Sequence, residues 1–147
     1  MKNISIIIIF TLLSNFMNGQ ALYDYKVKDA FNEIERTKIL DKLRSQLYKD
    51  YKQSFIFEVK KLNVCNNYAW FEGNVINKDG SEVIIKNVDY PIDCCHVEGL
   101  LQNKNGIWYI VEYNAFSTDL WFEGIWDRRK APKKIYGLQT LYLNYKE

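Results

Sequence analysis

The chain has 147 residues, with 20 Lys and Arg against 18 Asp and Glu, a single His, and a formal net charge of +2. Charge this balanced and interleaved excludes the strongly basic face on which nucleic-acid binders depend. Aromatic residues make up 16% of the chain, and rings at that density must fill a core, an interface or a ligand groove.

Residues 1–21 predict a secretory signal peptide. Lys2 supplies the positive start, Ile4 to Leu13 a short apolar run, and Gly19 and Ala21 the small residues before cleavage. The run is shorter than the roughly 20 apolar residues a bilayer span needs. No later stretch is longer, so no transmembrane segment is expected in the mature chain, which is placed in the periplasm or outside the cell. Residues 22–147 then form one α+β domain, its last part an irregular aromatic and basic tail from about residue 115.

Ala21 to Lys28 reads as an irregular arm. From Asp29 to Tyr51 apolar residues recur every three or four positions: Ile39, Leu40, Leu43, Leu47 and Tyr51, with Phe31 and Ile34 extending the stripe backwards. A long N-terminal helix is expected, with Asp29 as its N-cap. The period changes to two at Phe55, Phe57 and Val59, then slips at Lys60-Lys61 so that Leu62 and Val64 carry the other parity. A slip of one residue exchanges the two faces of a strand, so a β-bulge belongs there. Asn66-Asn67 turns the chain into a second strand from Tyr68 to Ile76, and Asn77-Lys78-Asp79-Gly80 ends it. Val83-Ile84-Ile85 suits a short edge strand. Cys94 to Gln102 and Ile107 to Tyr113 form a hairpin around Asn103-Lys104-Asn105-Gly106. The fold expected is one long helix packed on a curved antiparallel sheet of four to five strands.

Arg36-Thr37-Lys38-Ile39-Leu40-Asp41-Lys42-Leu43-Arg44, the strands Val59 to Val64 and Ala69-Trp70-Phe71, then Gly106 to Val111, Thr118-Asp119-Leu120 and Ala131-Pro132 carry a resemblance. Together, over roughly residues 36–135, they resemble a family of small exported bacterial domains of uncharacterised function with a cystatin-like or NTF2-like helix-on-sheet shape. The resemblance implies a fold and a compartment. It brings no catalytic residue, and it leaves the cysteines unexplained.

The stretch Asp89 to Gly99 concentrates the reactive side chains: Asp93, Cys94, Cys95, His96 and Glu98. Adjacent strand residues face opposite ways, so Cys94 and Cys95 would not share a metal ion. Cys94 and His96 would share a face, with Cys65, Asp93 or Glu98 as further ligands, but the spacing matches no zinc pattern. The same Cys94–His96 pair is a weak candidate for nucleophilic catalysis. Three cysteines in an exported chain favour one disulfide, from Cys65 to Cys94 or Cys95, with a vicinal bond disfavoured and three thiols the remaining alternative.

Glu98 and Glu112 on partner strands are a second weak catalytic pair, provided both face the concave side; the outer, wet face is the plainer expectation. Tyr113, Trp121, Phe122 and Trp126 offer a candidate binding surface or, more simply, close the open end of the core. The cations from Arg128 to Lys134 read as a solvated loop, with anionic lipid or polysaccharide as the sharper alternative. No phosphate loop, nucleophile elbow or paired-histidine motif is present, and neither metal nor cofactor is expected. These features favour an exported, non-enzymatic binding module whose partner is another envelope or secreted protein. The alternative is an NTF2-like pocket between helix and sheet, for a small ligand or a reaction.

Overall fold

The computed structural model describes residues 21–86, 94–117 and 121–137. The signal-peptide residues 1–20, Pro91, Asp93 and the Thr118-Asp119-Leu120 motif lie outside them.

Helical spacing of Ile39, Leu40, Leu43 and Leu47 produces α1, Glu33–Tyr51, and all four side chains are buried. The helix starts later than the sequence predicts. Asp29 Oδ1 accepts the amides of Phe31 and Asn32, both at 2.8 Å, which makes Asp29 the head of a turn and leaves Asn32 as the N-cap. Asn32 is 2% exposed and donates Nδ2 to Val27 O at 2.9 Å, locking this turn. Phe31 and Ile34 therefore do not extend the buried stripe. Ile34 lies about 140° around the helix from Ile39, and it is 73% exposed, with Phe31 at 84%.

The sheet has five antiparallel strands in the order β1-β2-β3-β4-β5: Leu22–Asp24, Ile56–Cys65, Tyr68–Ile76, His96–Lys104 and Ile107–Ala115. The short edge strand comes from the N-terminal arm, where Leu22 to Asp24 pair with Cys65 to Asn63. Val83–Ile85, expected in that role, is not a strand; Ile85 tucks into the core while Ile84 is exposed. The first strand precedes α1, so the helix is not the chain's first element.

The bulge stands where the slip in phase put it: Lys60 is skipped between the pairs Val59↔Gly73 and Lys61↔Glu72. A second bulge skips Val111 between Leu100↔Glu112 and Leu101↔Ile110. Each adds a residue on one strand and bends the ladder, which curves the sheet around α1. Gly73 faces the first bulge, and a Cβ there would lie 2.6 Å from Glu58 O. Gly99 lets the helix approach, since a Cβ would come within 3.1 Å of Leu43 Cδ2.

Both faces of the sheet are covered. On the concave face α1 packs against Leu62, Val64, Ala69, Phe71, Val75, Val97, Leu101 and Trp108. On the outer face Cys65, Trp70 and Leu100 are buried under α2 (Ile125–Arg129) and a 3-10 turn (Lys133–Tyr136), through Ile125, Ala131, Ile135 and Tyr136. Asn63 Nδ2 donates to Ile135 O at 2.7 Å and pins this segment to β2. Among the described residues no helix is long and apolar enough to cross a membrane.

Candidate functional site

Cys94 and Cys95 occupy a turn, and β4 begins only at His96. Cys95 has φ +97°, so the alternation that would send neighbouring side chains to opposite faces does not operate there. The two cysteines are joined to each other in a disulfide. The bridge expected from Cys65 is not formed: Cys65 is buried on the outer face beside Trp70 and Leu100, whereas Cys95 packs against the helix-side core. A cysteine held in a disulfide offers no thiolate for attack. Among the described residues, no three His, Cys, Asp or Glu side chains converge to hold a metal ion.

His96, Glu98, Leu100 and Glu112 all lie on the outer face, His96 opposite Asn74, and Leu100 opposite Glu112. Glu98 is nonetheless only 9% exposed, because the C-terminal segment covers it. Its carboxylate accepts Trp121 Nε1 at 2.9 Å and lies 3.1 Å from His96 Nε2. Glu112 is held separately by Arg129 Nε at 2.5 Å and Arg128 Nη2 at 3.4 Å. The two glutamates thus serve two different tethers of the tail rather than one reacting centre.

The candidate aromatic surface divides. Trp121 and Phe122 pack on Trp70 with ring centroids 5.9 and 5.7 Å away, and Trp126 packs on Tyr136 at 5.3 Å. Tyr113 points to the opposite face, where its hydroxyl donates to Asp50 of α1. Burial first, then this bond, raises the Tyr113 phenol far above its ordinary value.

A cleft opens at a place that no motif in the sequence marks. At the N-terminal end of α1, a cavity of about 510 Å³ lies between the arm, the helix and the turns of the two hairpins. Tyr23 and Tyr25 form one wall, Phe31 and Ile34 the rim, and Asn66, Asn67 and Asn103 the polar side, with Trp108 at the base. Among the described residues Glu35 is the one acidic group lining it. Its Oε1 accepts Trp108 Nε1 at 2.7 Å and Asn103 Nδ2 at 3.3 Å, and among the described residues no cation pairs with it. Burial raises the Tyr25 phenol, and the nearby Glu35 charge adds to the effect. The arm is tied down by Arg36, which donates to Tyr25 O at 2.9 Å and Lys26 O at 3.3 Å.

The signal that would have found this cleft was angular. Projected at 100° per residue, the stripe runs back from Ile39 through Glu35 and Asn32, not through Ile34 and Phe31. Trp108 was legible only as a sheet residue, because its bond to Glu35 joins positions 73 residues apart.

No family model, curated protein or solved structure matches the chain.

Proposed function

We propose that the protein is an exported binding module of the envelope or secreted fraction that holds another exported protein at the cleft beside the start of α1. The observation that carries this reading is the rim: Phe31 is 84% exposed and Ile34 73% exposed, side by side above an aromatic-walled cavity. Contiguous apolar exposure costs solubility and marks a surface meant to be covered. Asp29 and Asn32 spend four hydrogen bonds fixing the turn that presents Phe31, so the patch is pre-organised. Preorganisation lowers the ordering cost of association. Glu35, which pairs with no cation among the described residues, selects the occupant by charge: a segment bearing an apolar side chain next to a lysine or arginine. The helix-on-sheet layout leaves this end of α1 open for such a role.

The cavity volume also falls within the roughly 300–1,000 Å³ of small-ligand sites, which favours the second reading, a pocket for a small molecule in the same cleft. One experiment separates the two. A photo-crosslinking residue is placed at Phe31 in cells exporting the full chain, and separately at Ile84, which is 67% exposed and far from the cleft. A discrete protein adduct at position 31, absent at 84 and lost with Glu35→Lys, supports the binding module. No adduct at 31, together with a small molecule retained in native mass spectra and lost in Trp108→Ala, gives the cleft to a small ligand instead.

A further inference from the structure

A second cleft, of about 450 Å³, lies at the same end of the sheet on its opposite face. Lys104, Arg128, Arg129 and Lys130 line it, together with Tyr68, Gln102, Tyr109 and Val111. Its making is visible residue by residue. Lys104 ends β4, and strand alternation places it on the outer face with Gln102. The three cations of the tail arrive because Gln102 Nε2 donates to Tyr68 Oη, and Tyr68 Oη donates in turn to Arg129 O, each at 2.9 Å. The chain segment carrying the charges is therefore fastened over the strands.

The charge does not cancel within the cleft. Glu112 is the acid beside it and is shared by Arg128 and Arg129. Arg129 spends Nε on that contact, and among the described residues its two terminal nitrogens have no hydrogen-bond partner. Lys104 and Lys130 make no ion pair among the described residues, and Asp127 is turned to Lys133 at 3.5 Å. Beneath the outer layer, the Tyr136 hydroxyl is buried with no hydrogen-bond partner among the described residues. Four cations against one carboxylate, in a concave site with ring walls, concentrate positive potential where an anion can reach it. Guanidinium forks match tetrahedral oxyanions, and lysines add point charge.

We infer that this outer cleft binds a phosphate-bearing ligand, the phosphate bridging the terminal nitrogens of Arg129 and the ammonium groups of Lys104 and Lys130. The site is independent of the one proposed for the partner protein, being on the other face of the sheet. Phosphate reaches such a site either as a free anion or as a lipid headgroup, and the test separates these sources. Inorganic pyrophosphate is titrated into the mature protein by calorimetry at low and at physiological salt. In parallel, the protein is floated with phosphatidylcholine vesicles that do or do not contain phosphatidylglycerol. Both are repeated with Lys104→Gln/Lys130→Gln; these two exposed side chains have no ion-pair partner among the described residues to lose, and a thermal melt checks that the variant remains folded. One-site pyrophosphate binding that weakens with salt, and by at least about tenfold in the variant, supports the site and makes the free anion its ligand. Flotation that requires phosphatidylglycerol and is lost in the variant supports the site with a lipid headgroup as its source. Absence of both, or binding that the variant leaves unchanged, overturns the inference.

Discussion

The two faces of the sheet are closed by different chemistry. On the concave face a regular helix supplies aliphatic side chains at helical spacing, and Ile39, Leu43 and Leu47 are at most 1% exposed. On the outer face an irregular segment supplies rings, and polar contacts tether that segment to the sheet, among them Trp121 to Glu98, Arg129 to Glu112 and Asn63 to Ile135. An aliphatic ridge holds its position through packing, which is cooperative with the whole core. A segment with two short helical turns between bends cannot interlock in that way. It depends on a few directional bonds to set the register of its rings. The helix face should accordingly behave as the body of the domain and the outer face as a separately opening cover.

The comparison is tested first by removing packing. Leu43→Ala empties the centre of the helix face, opposite Gly99, where relaxation is limited by the sheet backbone. The expected loss is about 3–4 kcal/mol, read from urea denaturation, with far-UV and tryptophan signals moving together. If only the far-UV signal moved, the helix would be a cover like the tail and the distinction would fail.

How far the sequence could see also divides along these faces. The helix stripe, the bulge at Lys60 and both hairpin turns are local signals, set by periodicity and by Asn and Gly, and they were legible. The vicinal disulfide was not, because the composition extends the strand back to Cys94, whereas Cys94 and Cys95 lie in a turn, which obeys no alternation. Strand propensity alone favours Val83–Ile85 as the short edge strand. The arm won that edge because Arg36 of the helix fastens Tyr25 and Lys26 there, a contact ten or more residues away. The outer cover was legible as aromatic and basic composition only. Which ring meets which strand depends on tethers such as Tyr68 to Arg129, 61 residues apart, and no spacing rule encodes them.

A smaller effect is expected from cutting a tether. Trp121→Phe keeps a ring on Trp70 but removes the N–H donated to Glu98, leaving a nearly buried carboxylate with one fewer donor. The cost is about 1–2 kcal/mol. It should appear as faster proteolysis between residues 121 and 137 at native conditions, while the global urea midpoint moves little, since local opening draws on only part of the stability. Equal losses by both measures would show that the two faces unfold as one unit.

The smallest effect sharpens the comparison through pH, because the helix face also carries directional bonds, among them the one from Tyr113 to Asp50. Burial pushes the Asp50 carboxyl up, but the bonds from Tyr113 and Gln46, with Lys49 and Lys52 nearby, outweigh it and leave the group below its ordinary value of 3.8. A depressed carboxyl adds stability that is present above the unfolded value and lost as pH falls through the folded one. Tyr113 is shifted the other way, upward from 10.0, by burial and then by Asp50. A raised phenol adds stability that is present below pH 10 and lost as pH climbs towards the folded value. The pair therefore contributes fully between these limits. Tyr113→Phe should cost about 0.5–1 kcal/mol at neutral pH, the low end because Asp50 is exposed, and its penalty should shrink towards both extremes. A penalty that stayed constant as pH fell from 5 to 2 and as it rose from 9 to 12 would mean that the ring's packing, and not the bond, is what Tyr113 supplies. At this position the helix face would then be held by packing.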